Sequence, residues 1–245
     1  STLKTSLDAL AQASTLAVQS TSADGNPAAV DLTLTNPSLV TPFDHNLTIT
    51  SVALPHSVAF SGYSTATSTI DASNLSIHLG SWATDSSGNK SFTANTDFTT
   101  QSLVLDGTDT LTTVKDRINA LDVGITASIV RTATNDHSLI LSSPLGTNNQ
   151  IRVQATSNTS AISNLSFDPE TNGSGAANGG DALKEIAAAS NAVISFNGLS
   201  ITRDNNIISD IIPGVTMTLN AATSVNQKIS ARHDENVSVE ATKLF

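Results

Sequence analysis

The stretch Asn191–Leu219, NAVISFNGLSITRDNNIISDIIPGVTMTL, places two β-hairpin signals side by side. Asn197-Gly198 is a type I′ signal, because both central positions of that turn need φ > 0. Pro213-Gly214 fits a type II turn: proline presets φ at the second position and glycine supplies φ > 0 at the third. Apolar residues alternate around both turns, as Ile194 and Phe196, Leu199 and Ile201, then Val215, Met217 and Leu219. A period of two marks half-buried strands. Scarcely a catalytic side chain lies among them, so the segment is built for shape.

The whole chain carries the same emphasis. Of its 245 residues, 38% are hydrophobic and 13% charged, and the net charge is −10. Serine and threonine number 67. Leu, Ile and Val recur in alternating patterns and Thr and Val favour strands, so the expected fold is mainly β with a few short helices. Nucleic acid is excluded as a partner: its phosphates need clustered Lys and Arg, and the 11 basic residues are scattered. With no cysteine there is no disulfide, thiolate metal site or cysteine nucleophile. That favours a cytosolic protein or an exported bacterial one. No apolar run approaches the ~20 residues of a membrane helix, so no membrane insertion is expected, and no signal peptide is visible.

Along the chain, Leu3, Leu7 and Leu10 fall on one helical face, and "VSVEATKLF" reads as the start of another helix. Helical stumps at both ends suggest a β-rich module carried between two helices. "HNLTITSVAL" alternates as a strand; "NLSIHLGSW" and "KSFTAN" flank a hairpin loop at 86–89. In "TLTTVKDRINALDVG", Leu111, Val114, Ile118 and Leu121 recur at helical spacing and Gly124 stops the helix. The strands "ITASIVR" and "SLILSS" follow. "TNGSGAANGG" (171–180) reads as a flexible segment, and "DALKEIAAAS" as a short alanine-rich helix. The hairpins after Asn191 lack partners nearby, while "LTITSVAL" supplies a strand far upstream. This implies two β-domains, one inserted into the other. The expected limits are 1–19 for a helical leg, 20–70 plus 190–238 for the first head domain, 71–189 for the inserted domain and 239–245 for the return leg.

The chemistry of catalysis is sparse. His45, His56, His78, His137 and His233 show no metal-ligand spacing. Ser1-x-x-Lys4 and Ser87-x-x-Lys90 match a serine–lysine pattern by chance, without its companion motifs. The glutamates are four, Glu170, Glu185, Glu235 and Glu240, and the aspartates sit mostly in turns. Asp106 reads as a turn residue and Asp109 as a helix-cap candidate. Trp82, beside Gly80, reads as a core or interface residue, not a sugar platform. Seven Asn-x-Ser/Thr sequons follow from composition. No enzyme activity, cofactor or metal is expected. The residues alone describe a soluble β-rich interaction module.

The opening stretch also resembles the hook-associated repeat of bacterial flagellin relatives and, more closely, of the flagellar filament cap family (FliD, hook-associated protein type 2). That pattern is a strand, an Asn/Asp-Gly turn, a strand ending in Thr-Arg, an Asn and a Gly-Val-Thr strand. Here it is carried by Asn197 and Gly198, Thr202 and Arg203, Asn206, and Pro213, Gly214 and Val215. "LTITSVALPHSVAFSGYS", "TLTTVKDRINALDVGITASIVRTATNDHSLILSS" and "ISNLSFDP" resemble family segments in the same order. Departures are an Asn- and Gly-rich linker, Asn191 where Asp is more usual, and no match for 24–43 or the loop around Trp82.

The resemblance implies a structural cap at the flagellar tip, exported through the flagellar secretion system. It would retain flagellin and promote its folding and polymerisation. Implied partners are further copies of the chain in a ring, flagellin, hook–filament junction proteins and, in some bacteria, host mucus or surfaces. The hairpins would be scaffold, and Leu3, Leu7, Leu10 and Leu244-Phe245 would belong to helical legs. The competing readings are a bacterial or phage surface adhesin or receptor-binding module that binds glycans and, third, a carbohydrate-active enzyme.

Overall fold

The computed structural model describes residues 16–22, 27–71, 73–156, 165–170 and 184–233. The terminal helical patterns at 3–10 and 237–245, the linker at 171–180 and the limit at 238/239 lie outside the described residues. The limit at 19/20 does not hold: Leu16–Ser22 is one continuous strand paired with Gln227–His233, so residues 16–19 belong to the first unit and not to a helical leg. Within them the chain is mainly β, with a single α-helix, and it divides into two units at Ala53/Leu54 and Ser190/Asn191.

The first unit joins strands from both ends of the chain. Its larger sheet combines β1 (Leu16–Ser22), β3 (Phe43–Ser51), β12 (Ala192–Phe196), β13 (Leu199–Arg203) and β16 (Gln227–His233). The order is β1-β16-β3-β12-β13, every pairing antiparallel. The smaller sheet runs β14 (Ile207–Ile212), β15 (Val215–Leu219), β2 (Val30–Leu34). Alternation on β3 puts Leu47 and Ile49 in the core, opposite Phe196 and Ile194 of β12. On β15 the same alternation buries Val215, Met217 and Leu219. Strand β3 thus lies between two strands that come more than 140 residues later in the chain.

The second unit contains β4 (Pro55–Tyr63), β5 (Ser73–Thr84), β6 (Lys90–Ala94), β7 (Gln101–Leu105), β8 (Thr126–Ala133), β9 (Asp136–Leu145), β10 (Gln150–Thr156) and β11 (Glu185–Ala187). One sheet runs β11-β4-β9-β8. In the other, β5 pairs with β10, with β6 over residues 80–84 and with β7 over 73–77. Helix α1 (Leu111–Asn119) buries Leu111, Val114 and Ile118 in this core beside Phe60, Leu139 and Ile151. Burying each such side chain contributes about 1.5–3 kcal/mol.

Four further expectations change. The first boundary falls at Ala53/Leu54 instead of near residue 70, because β4 pairs with β9 and β11 of the second unit. The "DALKEIAAAS" segment is not a helix where described: Glu185–Ala187 pairs with β4. A helix of that length is marginal without packing, and β4 offers unpaired backbone that Lys184 and Glu185–Ala187 satisfy, Ala59 N donating to Lys184 O at 2.7 Å. The cap of α1 is Thr110, whose hydroxyl accepts from Thr113 N at 3.2 Å, while Asp109 instead holds Arg117 at 2.9 Å. Leu199, expected to be half-buried, is 67% exposed because β13 is an edge strand.

Candidate functional site: the hairpin motif and its anchors

Asn197 and Gly198 take φ of 50° and 85°, the two positive values of a type I′ turn. Asn197 does more than turn the chain. Its backbone N–H donates to Asn46 O at 2.8 Å. Its side-chain Oδ1 accepts from Asn46 N at 2.9 Å and its Nδ2 donates to His45 Nδ1 at 2.9 Å. The side chain therefore extends the ladder between β12 and β3 past the end of the strand. His45 is packed between Phe43, at 5.0 Å centroid distance, and Phe196, at 4.7 Å.

Asn206 grips the point where the chain leaves the unit. Its Oδ1 accepts from Ala53 N at 2.7 Å, its Nδ2 donates to Ala53 O at 2.9 Å, and its carbonyl accepts from Leu219 N at 2.8 Å. Ala53 is buried, so these bonds satisfy backbone groups that water cannot reach. Ser51 Oγ donates to Asn191 O at 3.0 Å, tying the outgoing strand to the returning one.

Arg203 Nη2 meets Asp210 Oδ2 at 2.6 Å and its Nη1 donates to Thr202 O at 2.9 Å. The hydrogen bond from Arg203 holds the Asp210 carboxyl below its ordinary range. This pair links β13 to β14, both edge strands, and puts charge on edges that would otherwise invite further strands. Thr202 itself faces outward. Pro213-Gly214 closes β14 on β15, with Ile212 opposite Val215. Gly214 O accepts from Thr35 N and Asn36 N at 2.8 and 3.1 Å.

All eight motif positions thus lie in the first unit, in two groups: the Asn197 turn against β3, and the Asn206, Arg203 and Gly214 anchors around β14 and β15. None is part of an acid–base or nucleophile arrangement. Several partners had no signal in the motif: His45, Asn46 and Ala53, and also Asn220, whose Nδ2 donates to Ala28 O at 3.0 Å and Asp31 Oδ2 at 2.8 Å. The upstream strand pattern covers His45, Asn46 and Ala53 but not Asn220.

The second unit has its own polar knots. Arg152 Nη2 bridges Asp168 at 2.9 Å and Glu170 at 2.6 Å, and its guanidinium lies over Phe92 and Trp82 at 5.3 and 6.0 Å. Trp82 Nε1 donates to Ile151 O at 3.2 Å, so the lone Trp is a packing residue. Gly80, two residues before it, has no room for a side chain, because a Cβ there would sit 2.2 Å from Thr93 O and 2.6 Å from the Phe92 ring. Buried His56 accepts from Ile151 N at its Nδ1, 3.0 Å, and meets Glu185 through Nε2 at 3.3 Å. Asp106 accepts from Thr108 N and Oγ1 at 2.9 and 2.8 Å, as a turn residue does. Among the described residues no three His, Asp or Glu converge as metal ligands would.

Residues 189–245, which begin at the return into the first unit, match the family model "Flagellar hook-associated protein 2 C-terminus". The hook-associated protein 2 of Salmonella typhimurium is 29% identical over 139 residues, 57% of this chain and 28% of that protein. The D2-D3 domains of the flagellar cap protein FliD from Serratia marcescens superpose with a TM-score of 0.64 at 26% identity, over 82% of this chain and 98% of that one. The FliD D1-D2-D3 domains from Escherichia coli give 0.69 at 20% identity, over 99% of this chain and 73% of that one. These matches support a flagellar cap fragment. The chain spans less than a third of the length of the curated relatives it matches. In this chain the motif anchors are what join the two passes of the chain through the first unit.

Proposed function

We propose that the chain is the β-rich head of a cap at the tip of a bacterial flagellar filament, where it retains flagellin and promotes its folding and polymerisation. The supporting observation is one architecture read in two ways. A nested pair of β units resembles the cap protein's D2-D3 domains over nearly their whole length, and the hook-associated C-terminal model begins at the junction between those units. The anchors suit a mechanical part. They are hydrogen-bonded turns and strand pairings that hold shape, with no arranged chemistry. In this reading the complete protein assembles with further copies of itself and contacts flagellin and the hook–filament junction outside the cell. Deleting the gene tests it. The reading expects flagellin shed into the medium as monomer and short or absent filaments, both reversed by the full-length gene. Normal filaments in the deletion strain would contradict it.

A further inference from the structure

We propose that Asn197 is a deamidation site that folding closes. Asn-Gly is the dipeptide in which the following backbone nitrogen most easily reaches the side-chain carbon, because glycine has no side chain to obstruct it. In that reaction Gly198 N attacks Asn197 Cγ, the Cγ–Nδ2 bond breaks and ammonia leaves with the proton lost from Gly198 N. Water then opens the succinimide to aspartate or isoaspartate. No other reactant is needed.

The folded turn opposes each requirement. Asn197 and Gly198 are exposed at the hairpin tip, so solvent access does not protect them. Geometry does. The amide is held on β3 by Asn46 N at 2.9 Å and His45 Nδ1 at 2.9 Å, so it is not free to rotate for attack by Gly198 N. Asn197 is also fixed at φ 50° by the turn and by its N–H on Asn46 O at 2.8 Å. Reaction requires both side-chain bonds to break first. In the unfolded chain neither exists.

The product bears on folding. Isoaspartate inserts an extra backbone carbon at the turn, and the two-residue hairpin pairing Phe196 with Leu199 then has the wrong length. Ordinary aspartate keeps an acceptor for Asn46 N but loses the donor to His45. Isoaspartate formed while unfolded therefore opposes closure of the first unit, whereas the folded unit preserves its own turn.

The test incubates the chain at mildly alkaline pH, native and in denaturing urea, and follows Asn197 by peptide mass spectrometry that distinguishes isoaspartate. The expected result is deamidation in urea and a native rate about tenfold or more lower, the slowing that ~1.4 kcal/mol of hydrogen bonding supplies. His45→Ala, which removes one anchor without touching the Asn-Gly pair, should raise the native rate. Should that variant fail to fold, native Asn46 and Asn197 amide exchange, slow if the ladder extends to the turn, replaces it. After urea is removed, isoaspartate-197 should concentrate in the fraction that a protease cuts within 191–219. Equal rates in both states, no reaction in urea, fast exchange at both amides or an even distribution of isoaspartate after refolding would overturn the proposal.

Discussion

His56 shows how one residue joins three strands. It sits on β4, takes the Ile151 N–H of β10 on Nδ1 and meets Glu185 of β11 through Nε2. The Phe167 ring lies tilted against its ring, with centroids 5.5 Å apart. A nitrogen that accepts a backbone N–H carries no proton, so the fold holds the neutral ring with its proton on Nε2. Burial lowers the pKa from its ordinary value; the Glu185 charge opposes this without overcoming it, and Lys90 adds to the lowering. The sign follows. With the folded pKa depressed, stability is fully present above the unfolded value of about 6.5 and is lost as pH falls through that value toward the folded one. We expect urea midpoints followed by Trp82 fluorescence, which reports the second unit, to fall from pH 7 to pH 5. His56→Asn should flatten that dependence. An unchanged wild-type midpoint would contradict the tautomer.

At the scale of elements, the hairpins were legible and their supports were not. Turn type follows from two adjacent residues, so Asn197-Gly198 and Pro213-Gly214 could be read directly. That Asn206 would hold Ala53 could not, since the contact spans 153 residues and the motif that marks Asn206 carries no sign of its partner. The error at "DALKEIAAAS" has the same origin: alanine propensity is a weak prior, and the open edge of β4 overrode it. Thr110 displaced Asp109 as the cap of α1 because the Asp109 carboxylate was taken by Arg117. The β14–β15 hairpin makes the sharpest element-level prediction. Gly214 has φ 77°, and a Cβ would lie 2.4 Å from Asn36 O and 2.8 Å from Val40 Cγ2. Gly214→Ala should therefore destabilise the first unit by ~1–3 kcal/mol, seen as faster amide exchange across β2 and β15. Trp82 lies in the other unit, so its unfolding midpoint should stay in place. Equal protection in wild type and variant would refute the close approach.

At the scale of the molecule, the fold class read from alternation and composition was borne out, and the nested order came from a hairpin region without local partners. A net charge of −10 makes like copies of this chain repel, most strongly at low salt where the Debye length is longest. Light scattering after size exclusion should find mainly monomer at micromolar concentration, with association favoured by added salt. A stable ring at low salt would place the assembly energy within these two units. The central claim, that the chain belongs to a filament cap, is tested most directly by locating the protein on the cell. Gold-labelled antibody raised against this chain, applied to intact flagellated bacteria and viewed by electron microscopy, should mark the distal end of each filament. Label spread over the cell surface, with bare filament tips, would contradict the account and favour an adhesin.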